Sequence, residues 1–169
     1  VYGCTKLAGE EAIRASGARH LIFRTSWVYA SRGGNFARTM LRLAAERETL
    51  RVIDDQIGAP TGADLIADVT AHALRQAMAQ GITGTFHLTP AGQTSWHGYA
   101  QFVFEAARRL KPEVPLKVQT VEAIPTTAYP TPAQRPLNSR LDTTRLQATF
   151  GLQLPHWHTG VLRMLHETL

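Results

Sequence analysis

His20-Leu21-Ile22-Phe23-Arg24-Thr25 is a short apolar run bounded upstream by Gly17 and downstream by a loop. A run of that length and setting reads as a buried strand. Upstream of it, Leu7, Ala8, Ala12 and Ile13 recur at helical spacing, and Gly17 after Ser16 is a stop signal. Downstream, Asn35 caps a predicted helix to Glu46 that carries Phe36, Met40, Leu41, Leu43 and Ala44 on one face. Leu50–Ile53 reads as a second strand, and residues 54–61 as a loop punctuated by Gly58 and Pro60. A long amphipathic helix is expected from Asp64 to Gln80, ended by Gly81, and a strand at 84–88. A further helix runs from Ser95 or Trp96 to Leu110, stopping before Pro112. Leu116–Val121 reads as a fourth strand. Residues 122–138 hold four of the nine prolines and are expected to be mostly irregular. Asp142 is read as the cap of a short helix ending at Gly151, and Pro155 as the opening of the last helix. Strands alternating with helices define an α/β protein with parallel pairing.

Composition bounds what such a chain does. It has 169 residues, 44% of them hydrophobic and 18% charged, which is globular composition. A chain of this length buries roughly 70% of its unfolded surface, enough for a core without staples. One cysteine excludes an internal disulfide framework and a multi-cysteine zinc site. No apolar run approaches the ~20 residues that span a bilayer, and no signal peptide is read at the start, so a cytoplasmic protein without a membrane partner is expected. The formal charge is +5, but the basic residues are scattered and form no tract of five. A small polyanion such as a nucleotide suits that distribution better than nucleic acid.

An α/β domain that binds a dinucleotide needs a glycine-rich turn between its first strand and helix, where backbone amides receive the pyrophosphate. Gly33-Gly34 lacks the third glycine, and Gly81-x-x-Gly84 precedes a strand instead of following one. The chain also opens on Val1, almost directly into a helix with no cap. The expectation is that an upstream part precedes it.

Tyr2 and Lys6 stand four apart on the first helix and so share a face. An ammonium beside a phenol favours the phenolate and lowers a pKa that is ordinarily ~10, which suits a tyrosine to general acid–base work. Spacing alone is also met by two ordinary surface residues; the flanking sequence is more specific. Tyr2-Gly3-Cys4-Thr5-Lys6-Leu7-Ala8-Gly9-Glu10 resembles the active-site helix of extended short-chain dehydrogenases/reductases. Arg24-Thr25-Ser26-Trp27-Val28-Tyr29, Asp54-Asp55-Gln56-x-Gly58-Ala59-Pro60-Thr61 and Arg135-Pro136-Leu137-Asn138-Ser139-Arg140-Leu141-Asp142 follow. Together these motifs resemble the dTDP-4-dehydrorhamnose reductase family, in its C-terminal part only.

The resemblance implies the C-terminal portion of a Rossmann-like parallel sheet plus a small, mostly helical substrate-binding domain. Residues 1–62, with roughly 80–92, would belong to the first and 63–169 mainly to the second, the glycine-rich cofactor half lying upstream. It implies NADPH as hydride donor, with NADH as an alternative, and reduction of the C4 keto group of dTDP-4-dehydro-L-rhamnose. Tyr2 would supply the proton, and Lys6 would hold the nicotinamide ribose and assist the tyrosine. A catalytic Ser or Thr would lie before Val1. Arg24, Thr25 and Ser26 would lie near the nicotinamide, and Trp27 would contact the sugar, against the alternative of a core aromatic. Val28 and Tyr29 are read as packing.

Gln56, Pro60 and Thr61 are open between substrate contact and a turn followed by a cap from Thr61 or Asp64. Arg135, Asn138 and Arg140 are open between the nucleotide, whose diphosphate suits a guanidinium fork, and a solvated loop. His97, His156 and His158 read as surface or capping residues. Glu167 is a candidate because some members of the family hold Mg2+ at a dimer contact through C-terminal glutamates. Homo-oligomers are expected, through sheet edges left open by truncation. Two other functions stay open. One is a non-catalytic regulatory subunit, like the similar β-subunit of methionine adenosyltransferase. The other is a reductase or epimerase of another nucleotide-sugar.

Overall fold

The computed structural model describes residues 2–131, 133 and 135–169. Val1, Pro132 and Gln134 lie outside them, and with them the exact opening of the chain and part of the proline-rich stretch. The order of elements is α1 (Tyr2–Ala15), β1 (Leu21–Arg24), β2 (Val28–Tyr29), α2 (Phe36–Glu46), β3 (Thr49–Ile53), β4 (Ile57–Gly58), β5 (Thr61–Gly62) and α3 (Ala63–Gln80). Then come β6 (Gly84–His87), β7 (Thr94–Ser95), α4 (Trp96–Leu110), β8 (Thr120–Ile124), a 3-10 turn over Thr126–Ala128, α5 (Thr144–Phe150) and α6 (Trp157–Thr168). The fold is α/β. Three strand pairs are parallel, β1 with β6, β2 with β5 and β3 with β8; β4 with β7 is antiparallel.

Two apolar clusters hold these elements. In one, Phe86 and Leu88 at β6 pack with Val69 and Ala73 of α3, Leu146 and Phe150 of α5, and Leu21 and Phe23 of β1. In the other, α4 lays Tyr99, Val103 and Phe104 against α2, β3, β8 and α6. Ala37 and Ala44 of α2 are fully buried, small enough to let that helix approach closely. α1 belongs to neither cluster and has no buried residue. It is held to the strands by polar contacts: Glu10 to Arg24 at the end of β1, and Arg14 to Thr85 of β6.

Local signals act as their chemistry demands at most ends. Asn35 accepts from the Arg38 N–H and caps α2, and Ser95 accepts from the Gly98 N–H and caps α4. Gly81 ends α3 at φ 72°, a left-handed conformation that costs glycine nothing.

Several expectations are corrected. Neither Thr61 nor Asp64 caps α3: Gly62 is its N-cap, without a side-chain bond, because the Thr61 hydroxyl is buried and donates to the Ala59 carbonyl. The strand read at 116–121 lies at 120–124, since pairing with β3 sets its register from Thr49–Thr120 to Ile53–Ile124. Its first residues instead bury Val118, whose N–H donates to Ala44. The stretch after 122 is mostly irregular as expected, apart from the end of β8 and the 3-10 turn over Thr126–Ala128. The stretch 54–61, expected as a loop, contains β4 and the first residue of β5, both short strands made by partners distant in sequence. Asp142 accepts from the Thr144 N–H, but the N-cap of α5 is Thr143. The last helix opens at Trp157, with His156 as the cap. Tyr29 is buried as expected, but Val28 is exposed.

Candidate functional site

α1 runs antiparallel to β1. Its Glu10 meets Arg24 at the carboxyl end of that strand, while Arg14, one turn on, meets Thr85 near the start of β6. The amino end of α1 therefore points past the carboxyl ends of the β1–β6 pair, where open α/β sheets bind ligands. At 1.5 Å per residue, Lys6 and Tyr2 lie roughly 6 and 12 Å beyond Glu10 along the helix axis. The Lys6 ammonium stands 5.5 Å from the centre of the Tyr2 ring, and Tyr2 is 77% exposed. Among the described residues no carboxylate pairs with Lys6.

Arg24 forms an ion pair with Glu10. Its guanidinium meets Glu10 with both prongs, Nε to Oε1 at 2.8 Å and Nη2 to Oε2 at 2.6 Å. That fork, with Arg14 adding to it, holds the Glu10 carboxyl down at about 2 from its ordinary 4.5. Since the folded pKa is depressed, the bridge is whole above about pH 4.5 and is lost as pH falls towards about 2. The Glu10 side-chain carbonyl carbon is expected to titrate near that low value by NMR, and to move up in Arg24→Gln. An unmoved midpoint would assign the effect to another group.

Past β1 the chain turns through Thr25, Ser26 and Trp27. Thr25 is exposed, and the Ser26 hydroxyl donates to the Ser139 carbonyl at 3.1 Å. Trp27 has φ 50°, unusual for any residue with a Cβ and more so for a bulky one. Its ring lies 3.7 Å from that of Trp96, nearly parallel at 13°. Gly58 faces the same ring. A Cβ on Gly58 would come within 2.6 Å of Trp27 Cε2, so only glycine fits there.

Gln56 is buried beside this stack and bonds through both ends of its amide. Its Oε1 accepts from Trp96 Nε1 at 3.1 Å, and its Nε2 donates to the Thr126 hydroxyl at 3.0 Å. That hydroxyl donates in turn to Asp55 at 2.6 Å, and the Thr126 N–H donates to the same carboxylate. These bonds hold Asp55 below the usual carboxylate range.

The segment carrying the other sequence-predicted residues crosses the same place. Ile57 donates to the Leu137 carbonyl and accepts from the Ser139 N–H, both at 2.8 Å. Asn138 Oδ1 accepts from the Arg140 N–H and Nε–H, and Arg140 Nη1 donates to Gln93. The fold thus brings Ser26, Trp27, Gln56, Asn138 and Arg140 together, with Tyr2 and Lys6 reaching toward the same end of the strands. Arg135 is exposed, with no side-chain hydrogen bond among the described residues.

The histidines and Glu167 stand apart from this arrangement. His156 caps α6, His158 stacks on Phe102 at 4.1 Å, and burial lowers its pKa. His97 meets the Val121 carbonyl at 3.0 Å. Glu167 accepts from Arg163 at 3.3 Å, an arrangement that gives no support to a magnesium site. Among the described residues no group of three or more His, Cys, Asp or Glu is placed to hold a metal, and no helix is long and apolar enough to cross a membrane.

Trp96, Gly58 and Thr126 escape a sequence reading of this site. Trp96 reads only as part of a helix opening at Ser95 or Trp96. The motif Asp54-Asp55-Gln56-x-Gly58 was the available signal, but which aromatic it faces depends on tertiary contacts.

Parallel strand pairs joined by helices, with polar and aromatic residues gathered past their carboxyl ends, define a Rossmann-like α/β protein. The chain belongs to the family described as RmlD substrate binding domain, whose model matches residues 1–169. It is 60% identical over 168 residues to dTDP-4-dehydrorhamnose reductase of Escherichia coli K12, covering 99% of this chain and 56% of that protein. The crystal structure of dTDP-4-dehydrorhamnose reductase from Bacillus anthracis in complex with NADP is similar, with TM-score 0.82 and 34% identity over 99% of this chain and 55% of that one. UDP-glucuronic acid 4-epimerase of Bacillus cereus shares the fold alone, with TM-score 0.69 at 16% identity over 99% of this chain and 52% of that one. The chain spans about half the length of the curated relatives it matches.

Proposed function

We propose that this chain is the proton-donating and sugar-binding part of an NADPH-dependent dTDP-4-dehydrorhamnose reductase, which reduces the C4 keto group of dTDP-4-dehydro-L-rhamnose. The observation that carries the reading is the placement of Tyr2 and Lys6 on one exposed face of α1, aimed past the same strand ends as Trp27. An exposed phenol and an ammonium without a carboxylate partner fit the nicotinamide end of such a cofactor. The pyrophosphate end is assigned to the remaining length of the relatives. NADPH, when bound, supplies hydride to the carbonyl carbon.

This chain's own residues do the rest. Tyr2 gives its hydroxyl proton to the carbonyl oxygen as that oxygen takes up charge. Lys6 holds the ribose hydroxyls, and its positive charge compensates the tyrosine once the proton has left. Thr25 and Ser26 line the nicotinamide side. Arg24 acts one step removed, by fixing α1 to the strand through Glu10. Trp27 meets the sugar, Gln56 supports it, and Arg140, Asn138 and the exposed Arg135 face the nucleotide.

In this reading the β1, β6, α3 and α5 cluster is the Rossmann side and the α4 cluster the substrate side. The boundary then falls differently from a single division near residue 62, since α3 packs with the strands and α2 with α4. Self-association through the free edges of the strand pairs is part of the proposal. A light-scattering mass of one chain at micromolar concentration would contradict it.

The test is NADPH oxidation with dTDP-4-dehydro-L-rhamnose, followed by cofactor absorbance, on this chain and on the protein carrying the full length of its relatives. Turnover in the longer protein only is expected. No turnover in either would discard the reductase reading.

A further inference from the structure

Trp27 is held from both sides. The three Trp27 atoms nearest a Cβ on Gly58 are Cε2, Cζ2 and Cδ2, at 2.6, 2.9 and 3.0 Å, so that position lies directly over the ring junction. Trp96 stacks at 3.7 Å and 13°, which leaves no space for Gly58 on the same face. Gly58 therefore covers one face and Trp96 the other. What remains open is the edge of the indole with its Nε1–H, which has no acceptor among the described residues. The backbone at φ 50° is a conformation that persists only when surrounding contacts impose it.

Trp96 is itself held. Its Nε1–H donates to buried Gln56, Gln56 donates to Thr126, and Thr126 donates to Asp55. On its far side Trp96 meets Phe36 at 4.6 Å. A residue anchored on one side by a polar relay and on the other by the core is a stiff support for whatever stacks on it.

We propose that Trp96 is a positioning residue: with Gly58 it clamps Trp27 so that the indole meets the substrate edge-on, as an N–H donor to a sugar or phosphate oxygen instead of a stacking platform. This rests on the reductase reading for the identity of the ligand. The clamp itself does not, so the two can fail separately.

Two stacked indoles couple their excited states and give an exciton couplet in far-ultraviolet circular dichroism. The couplet is expected in this chain without any ligand, and its loss is expected in Trp27→Phe and in Trp96→Leu. A wild-type chain without the couplet, or Trp96→Leu with it, overturns the clamp. In the full-length protein, Trp96→Leu is expected to raise KM for the dTDP-sugar by roughly 3- to 10-fold, the range that an aromatic pair supports. KM for NADPH should stay within about twofold, and Trp96→Phe, which keeps a ring in the stack, should restore most of the loss. Loss of the couplet with an unchanged sugar KM overturns the positioning role. So does an equal rise in both KM values, which marks general loosening. Absence of turnover in every variant removes the reductase reading, and with it the ligand assigned to the clamp, while the couplet still decides whether the clamp exists.

Discussion

Replacing Tyr2 by phenylalanine is expected to lower kcat of the proposed reductase, carried at the full length of its relatives, by roughly 10²- to 10⁴-fold, the usual contribution of a positioned general acid. The substitution removes one oxygen and leaves the ring. In this chain Tyr2 is 77% exposed and α1 buries none of its residues, so no packing is lost within it and the chain's own melting temperature should not move. KM for the sugar should change little, because the proton is needed only as charge develops on the carbonyl oxygen. The measurement is the initial rate of NADPH oxidation at saturating sugar, set beside a thermal melt of this chain carrying the same substitution. A kcat within tenfold of the parent, with the fold intact, would remove Tyr2 from the proton-donor role and leave the Tyr-x-x-x-Lys spacing as a surface coincidence. Lys6→Met is the companion variant. Its effect should fall on KM for NADPH as well as on kcat, since the ammonium is assigned to the ribose.

The second large effect is structural. Phe86→Ala is expected to destabilise the chain by about 3–5 kcal/mol, the cost of emptying a buried aromatic site. Phe86 is 2% exposed. It meets Phe150 edge-on at 5.0 Å and Phe23 at 6.2 Å, and the Arg145 guanidinium lies over its ring at 4.9 Å. It is thus the residue through which β6 joins β1 to α5. Set against the 5–15 kcal/mol that small domains possess, a loss of that size consumes much of the margin. Urea unfolding would show it as a fall in midpoint with the slope unchanged. Phe86→Leu keeps most of the volume and should cost clearly less, so the pair stays informative even if the alanine variant fails to fold. Equal losses in both variants would show that the ring geometry, and not the filled volume, carries the stability.

The positions of most elements were legible because they rest on local chemistry. Gly17 and Gly81 stop helices wherever the surrounding chain goes, and Asn35 and Ser95 cap helices by bonding to their own next turn. The apolar periodicity of α2 and α4 marks the faces that are buried. The four-residue spacing of Tyr2 and Lys6 puts both on one face of any helix. Sequence by itself therefore determined an α/β chain, the face that carries the phenol and the ammonium, and the motifs that mark its family.

What it left open depends on partners far along the chain. β8 begins at Thr120 and not at Leu116 because its register belongs to β3, seventy residues earlier. Thr61 fails as a cap because its hydroxyl is drawn to Ala59 in a strand that exists only by pairing with β2. The closing of the Arg24 guanidinium on Glu10 of another element is likewise invisible in the local sequence. The stacking of Trp96 on Trp27, the glycine required opposite at position 58, and the Gln56 relay behind them join segments about thirty to seventy residues apart. Such contacts form only when two cores bring those segments to one end of the strands, so only the tertiary structure decided them.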